Sequence, residues 1–524
     1  MNNPPLPIWL RAFFSWPAVI GVALFAFIFA DCIPWAADAA LLVLITICFL
    51  ECFLFLQLIF AWYYAASGGK GFQIYVLVAL LLFRLGFRLY EPGAGMWVYQ
   101  AAGVMDWELA FLWYALGVCM IHPSGYRLVF ERLRIPPPSN RFTQVAIGAG
   151  MLVFCAWLFW VYRSAYITRD GFDWIQRAVE PVWHLYMREP LTIGLHRAAF
   201  LLGWHGFGVT SASMIAILSI AAGLWSLVWF YRFTTHKLYN FQAQGLAWLL
   251  LIASGGFSIL LFGHIEVYPL LVAGLVPVFY YASRYLEEKN GIVIVAIAYA
   301  IAFLLHLSAA WLLPAMLVLP WIKQKPAWKE IGKFAAVFGG VQLVFWGWLL
   351  IAYYHADLPA MLARLHETFF VGPDQAMFLP YFAVVHPAHF ADLLNDLLYI
   401  TAPGMILLPF TLWYVRWHAK RDDLFWGLAA GGYFLYILLW NPDRGFPEDW
   451  DLFSPFALIL TMFHINVLLG NRGAEEPSAE ENPKRSGLPA HGALLYTAAM
   501  GVLPYILIQI RFHHISNFIP PHLF

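Results

Sequence analysis

Residues 244–286 read QGLAWLLLIASGGFSILLFGHIEVYPLLVAGLVPVFYYASRYL. Two apolar runs, 244–262 and 268–286, stand end to end, joined by Gly263-His264-Ile265-Glu266-Val267-Tyr268-Pro269. A helix crossing a bilayer needs about 20 apolar residues, so each run suffices for one crossing. Almost no loop remains between them, which places the turn of a membrane hairpin at the membrane edge. An ionised carboxylate there is costly unless it meets a partner or a water-filled cavity. Glu266 is therefore a candidate functional group, flanked by His264 and Tyr268. The plainer alternative is that His264 and Glu266 pair with arginines and lock helix ends.

The same grammar runs through the chain. Its 524 residues are 62% hydrophobic and 11% charged, against about 25% charged for soluble proteins. Formal net charge is zero, so nothing argues for a nucleic-acid partner. Cys32, Cys48, Cys52, Cys119 and Cys155 lie in or beside apolar runs without metal-ligand spacing, as small packing residues do. Residues 1–11 carry one basic residue before an apolar run with no convincing cleavage site, which reads as a retained first helix. Runs of spanning length fall near 16–33, 39–63, 72–90, 96–120, 143–163, 207–232, 244–262, 268–286, 332–354, 395–416, 424–440, 452–470 and 490–511. The stretch 291–322 accommodates two shorter spans divided near His306. The expected fold is an all-α polytopic membrane protein with about 13–15 transmembrane helices.

Charge sets the expected topology. Loop 121–142 carries Arg127, Arg132, Arg134 and Arg141, loop 321–333 carries Lys323, Lys325, Lys329 and Lys333, and loop 416–423 carries Arg416, Lys420 and Arg421. Basic loops stay cytoplasmic, and alternation then puts every lysine on that face. The acids Asp170, Asp173, Glu266, Glu448, Asp449 and Asp451 fall on the other. Three segments on the outer face are long or charged: 164–206, 355–394 and 441–451. Residues 471–488 are acidic and contain Ser and Pro, the composition of a disordered linker. Pro136-Pro137-Pro138 marks a boundary. The chain divides into an N-terminal four-helix segment (1–142), a core with the interfacial loop 164–206 (143–355), and a C-terminal segment (356–524). No repeat of fixed period is present, which gives no support to a transporter built from duplicated halves.

Two further constellations lie on the acidic face. Arg169-Asp170-Gly171-Phe172-Asp173-Trp174 begins where the fifth span leaves the membrane. Gly171 lets the chain turn beside the Asp170 carboxylate. Asp173 follows one helical turn later, where it could serve only as an N-cap. From 173 to 205 aromatic and charged residues alternate, as in amphipathic helices lying in the interface plane. Arg188 belongs to this stretch. The other constellation is Asn441-Pro442-Asp443-Arg444-Gly445-Phe446-Pro447-Glu448-Asp449-Trp450-Asp451. Acids this close repel unless a cation intervenes. Arg444, a divalent cation or a bound sugar would fill that role, and Trp450 suits stacking on a sugar ring. The plainer reading is a solvated turn. His386 and His389 have i,i+3 spacing but no evident third ligand for zinc. His306 interrupts an apolar stretch and is a candidate cavity-lining residue.

At these loops the chain resembles the multi-span C-type (GT-C) glycosyltransferases, nearest to bacterial protein-mannosyltransferase-like and lipid A sugar-transferase-like members. The resemblance rests on Arg169-Asp170-Gly171, Arg188-Glu189-Pro190-Leu191, Gly263 to Pro269, and Glu448-Asp449-Trp450-Asp451-Leu452-Phe453. It covers roughly 143–470. It implies a polyprenyl-phosphate-linked sugar donor and a lipid, glycan or protein hydroxyl acceptor at the extracytoplasmic face of a bacterial inner membrane. It implies Asp170 as base in an inverting transfer and Glu266 as a second catalytic group. Arg169, Asp173, Arg188, His264, Tyr268, His306, Arg444, Asp449, Trp450 and Asp451 would bind substrate, and Arg163 and Arg197 are further phosphate candidates. No cofactor is required by this scheme, although the acid cluster would accept a divalent cation. The competing expectations are a transporter or flippase of lipid-linked glycans and an O-antigen-ligase-like enzyme. The fifth-span position of the catalytic loop departs from the family plan, in which that span is usually the first.

Overall fold

Apolar runs of spanning length become helices because a bilayer leaves no other partner for backbone N–H and C=O groups. A computed structural model describes residues 52–59, 61–63, 70–88, 121–127, 140–164, 169–179, 188–238, 241–288, 291–323, 328–369, 384–440, 449–470 and 491–515. Every regular element among them is a helix. In chain order these are α1 (Lys70–Arg88), α2 (Arg141–Val161), α3 (Arg169–Val179), α4 (Pro190–Phe207), α5 (Ser211–Lys237), α6 (Phe241–Ile252), α7 (Gly255–Leu261), α8 (Tyr268–Glu288) and α9 (Ile292–Leu305). A 3₁₀ turn, Leu307–Leu312, leads to α10 (Leu313–Lys323), α11 (Trp328–Ala352), α12 (Leu358–Phe369), α13 (Pro387–His418) and α14 (Arg421–Leu439). The short α15 (Trp450–Phe453), α16 (Pro455–His464) continued by a π-helical turn (Ile465–Leu469), and α17 (Gly492–Ile515) follow, and a five-residue helix, Pro123–Arg127, precedes α2.

Five of these stretches are long and apolar enough to cross a membrane, or six with the bent pair α6–α7. The protein is a helical integral membrane protein. Shorter apolar helices include Ile292–Leu305 and Leu307–Ile322, the pair expected on either side of His306. The expected total of 13–15 reaches into residues outside those described.

Two departures from uninterrupted helices matter for the site. The run 244–262 breaks at Ala253–Ser254, where α6 and α7 meet at 78°. Gly255 and Gly256 make this possible. A Cβ on Gly255 would stand 2.6 Å from the Tyr399 carbonyl oxygen, and one on Gly256 2.9 Å from Ile400 Cβ. The α13 helix is kinked where they touch it, at Thr401 (φ −152°, ψ 48°), two residues before Pro403. The stretch Trp450–Leu469 forms the centre, with 94% of its window buried, whereas α11 lies at the periphery with 11%.

The bundle has two chemically distinct ends. Lys237 Nζ donates to Glu287 Oε1 at 2.9 Å, joining the C-terminal ends of α5 and α8. Tyr268 begins α8 at the other end, roughly 30 Å away at 1.5 Å per residue.

Candidate active site

Residues 263–269 form the hub. Gly263 adopts φ 68°, and a Cβ there would lie 3.2 Å from Arg163 Cβ, so the turn needs glycine. The Ser164 N–H donates to the Phe262 carbonyl at 2.7 Å, and Ser219 Oγ donates to the His264 carbonyl at 2.8 Å. With the backbone so held, the side chains reach in two directions. Glu266 Oε2 accepts from Trp174 Nε1 at 2.8 Å. His264 Nε2 meets Asp451 Oδ2 at 3.0 Å. One heptapeptide thus touches both other constellations, which lie 92 and 187 residues away along the chain.

The α3 helix brings Asp170 in with Trp174. Positions 170, 174 and 178 share one ridge at i,i+4 spacing, and Trp174 and Ala178 are buried. Asp170 and Glu266 therefore belong to one end of the bundle. Asp173 lies on the outer flank, 47% exposed and 4.0 Å from Arg177.

Across the hub, the Trp450 ring packs at an angle against three others, its centre 5.3 Å from that of His264, 5.3 Å from Tyr399 and 5.4 Å from His513. Tyr399 Oη and His513 Nε2 are 2.6 Å apart. Asp449 and Asp451 are both buried, so the plainer reading of this segment as a solvated turn does not hold at these two positions.

The third wall is the start of α4 against the α9 break. The Leu307 N–H donates to the Arg188 carbonyl at 2.7 Å, and Thr192 Oγ1 donates to the Leu305 carbonyl at 2.8 Å. His306 Nδ1 accepts from the Ser308 N–H at 3.1 Å. The neutral ring therefore carries its proton on Nε2, 3.8 Å from Glu189 Oε2. Ser308 Oγ continues to Tyr433 Oη at 2.9 Å. The Tyr268 ring lies 5.2 Å from His306, and its hydroxyl is within electrostatic reach of Asp451, Glu266 and Glu189. Tyr436 stands likewise between Arg188, Asp449 and Glu189. Burial pushes the Glu189 carboxyl up to about 7. Arg188 and Arg177 oppose the shift, and the Asp170 charge reinforces it.

The remaining expected residues are distributed as follows. Arg188 faces the Trp440 ring at 5.9 Å. Arg197 Nη1 donates to the Ala178 carbonyl, tying α4 to α3, and Arg163 Nη1 donates to the Trp160 carbonyl at 3.3 Å. The Arg169 side chain, Arg444 and Glu448 lie outside what the structure describes. His386 Nδ1 accepts from the Ala388 N–H as an N-cap, and His389 Nε2 meets the Leu438 carbonyl at 3.1 Å. The two histidines are thus spent on backbone. Among the described residues no three His, Cys, Asp or Glu side chains stand together as a metal cage.

Nothing in the sequence alone assigns a role to Glu189, Tyr399, Tyr433 or Asp396, all of them buried. An acid inside the apolar run 395–416 is the signal that was available for Asp396.

Two solved structures are similar to this fold, both of ArnT from Cupriavidus metallidurans. With the structure bound to undecaprenyl phosphate the TM-score is 0.44 at 13% identity, covering 62% of this chain. The chain spans about 60% of that protein's length. With the apo structure the TM-score is 0.47 at 11% identity, covering 71% of this chain and 77% of that one. No family model and no curated protein matches the sequence.

Proposed function

We propose that the protein is a membrane glycosyltransferase of the GT-C kind, moving one sugar from a polyprenyl-phosphate carrier to a hydroxyl acceptor at the bundle end that holds residues 263–269. The observation that carries this reading is the double grip of the heptapeptide, on Trp174 through Glu266 and on Asp451 through His264. Buried acids, an imidazole, a tryptophan and Arg188 at one end suit a ligand that is both a sugar and a phosphate.

In the proposed reaction Asp170 takes the proton of the acceptor hydroxyl as that oxygen bonds to the anomeric carbon. The bond from that carbon to phosphate oxygen breaks, and its electron pair leaves with the polyprenyl phosphate. The leaving group is already a good one, so positive charge matters more than an acid. Arg188 supplies it, because a guanidinium fork matches phosphate oxygens. Glu266, held by Trp174, binds a sugar or acceptor hydroxyl. Displacement from the face opposite the phosphate inverts the anomeric centre and requires one base.

The test uses the purified full-length protein in liposomes. Undecaprenyl-phosphate sugars labelled in the sugar, with lipid, glycan and peptide hydroxyl acceptors, are the substrates. The expected result is label on one acceptor class with stoichiometric release of undecaprenyl phosphate. Label that stays on the carrier while the carrier crosses the bilayer would instead establish a flippase. Transfer of a whole preassembled glycan, with single sugars refused, would establish a ligase.

A further inference from the structure

We propose that Glu189 and His306 together hold one hydroxyl of the donor sugar, which sits between them and bonds to both. The inference rests on the sugar-transfer reading for the identity of the ligand.

The two segments that carry these residues are fastened to each other. The Leu307 N–H donates to the Arg188 carbonyl at 2.7 Å, and Thr192 Oγ1 donates to the Leu305 carbonyl at 2.8 Å. Glu189 is the N-cap of α4, with Pro190 at the first helical position, where a missing N–H costs nothing. Its carbonyl accepts from the Ile193 N–H at 3.1 Å. Its carboxylate makes no capping bond to the helix, so that group is left for another use. His306 stands in extended backbone where α9 ends. Its ring is held through Nδ1, which accepts from the Ser308 N–H at 3.1 Å and lies 2.8 Å from Ser308 Oγ. An imidazole that accepts at Nδ1 carries its proton on Nε2, so it turns a donor toward Glu189. The Tyr268 ring, 5.2 Å from that of His306, stands at one side.

Nε2 of His306 and Oε2 of Glu189 are 3.8 Å apart, too far for a direct hydrogen bond. Both residues are buried, where a donor and an acceptor that stop short of each other are costly. A polar gap of this width fits a third group between its walls. That group must accept on the histidine side and donate on the glutamate side. A hydroxyl does both, whereas a phosphate or carboxylate ion only accepts and an ammonium only donates. Two hydrogen bonds of about 2.8 Å each span the gap with a bend at the shared oxygen. One oxygen of Glu189 remains an acceptor whether or not the carboxyl is ionised. The preceding residue, Arg188, is the proposed phosphate ligand. The part of the donor that reaches the gap is therefore the sugar beside its phosphate, and not the acceptor.

The experiment offers undecaprenyl-phosphate glucose, galactose and mannose to the full-length protein in liposomes. The donor used fastest is then remade in versions that each lack one hydroxyl. The wild type should lose about 10- to 100-fold in kcat/KM on one of these deoxy donors. Glu189→Met removes the acceptor, and His306→Asn removes the Nε2 donor while keeping an oxygen that can cap the Ser308 N–H. Each should lower kcat/KM for the intact donor and lose most of the preference for it. The double variant should use the intact and deoxy donors within about threefold of each other. A wild type that treats all deoxy donors alike overturns the proposal. So do variants that slow every donor by one factor and keep the preference, which would mark a pair serving only the fold. A hydroxyl effect found only with deoxy acceptors overturns it as well. Binding of the same lipids to the protein in nanodiscs, measured by calorimetry without acceptor, reads the clamp without any reaction. If no sugar is transferred, the functional reading falls, and the clamp still stands or falls on whether the wild type, unlike the double variant, binds one deoxy lipid more weakly than its parent.

Discussion

Trp174→Phe tests the joint between the interfacial loop and the hub. The substitution keeps a ring at a buried position and deletes the one N–H that Glu266 Oε2 receives from it at 2.8 Å. A hydrogen bond to a charged group contributes about 1.5–3 kcal/mol net. At 1.36 kcal/mol per tenfold in rate, losing it costs transfer on the order of 10- to 100-fold in kcat/KM, provided the bond holds Glu266 for the transition state. The smaller ring also leaves a cavity, which adds a cost unrelated to the bond. A double-mutant cycle separates the two. Glu266→Met, which has no oxygen to accept the N–H, alone impairs transfer, and adding Trp174→Phe should then cost less than about threefold, leaving a coupling of about 0.5–3 kcal/mol between the sites. The assay is the initial rate of label transfer in liposomes at saturating acceptor. If Trp174→Phe costs the same factor with Glu266 and with Met at 266, the bond organises nothing and the loop meets the hub by packing alone.

Asp170→Asn should lower transfer about 100- to 10,000-fold as the loss of a general base, without altering expression or the melting temperature. A rate equal to wild type refutes the assignment. Glu189→Gln should be neutral for stability near pH 4 and stabilising above pH 7. The folded carboxyl titrates at about 7 against an ordinary 4.5, so ionisation costs the native state on the order of 3 kcal/mol as pH rises through that window. Melting curves at pH 5 and pH 8 check the sign. Gly256→Ala should destabilise by about 1–3 kcal/mol, since the new methyl would stand 3.1 Å from the Ser454 backbone. Lys237→Gln, whose partner Glu287 is one-third exposed, should change stability by less than about 1 kcal/mol and leave transfer untouched.

Much of this architecture was legible because membrane helices are written as long apolar runs. The runs 268–286, 332–354 and 452–470 correspond to α8, α11 and the Trp450–Leu469 span within a few residues. The three constellations were legible because acids in such a chain are rare and costly. What escaped was whatever depends on one helix meeting another. The bend at Gly255 is only a Ser-Gly-Gly interruption until α13 is found pressed against it. Glu189 stands in the sequence as one acid among interfacial charges, and only the His306 break opposite gives it a partner. Asp173 and Asp170 look alike three residues apart, and it is the face of α3 that separates them.

The grip of residues 264 and 266 on distant partners also bears on biogenesis. Glu266 can meet Trp174 as soon as the first hairpins are inserted, but His264 has to wait for Asp451. At 5–20 residues per second of translation, that interval is roughly 10 to 40 seconds. During it a nascent chain holds half a pocket, so a ribosome that stalls before the final helices leaves behind an inert fragment and not a partly active enzyme loose among carrier lipids.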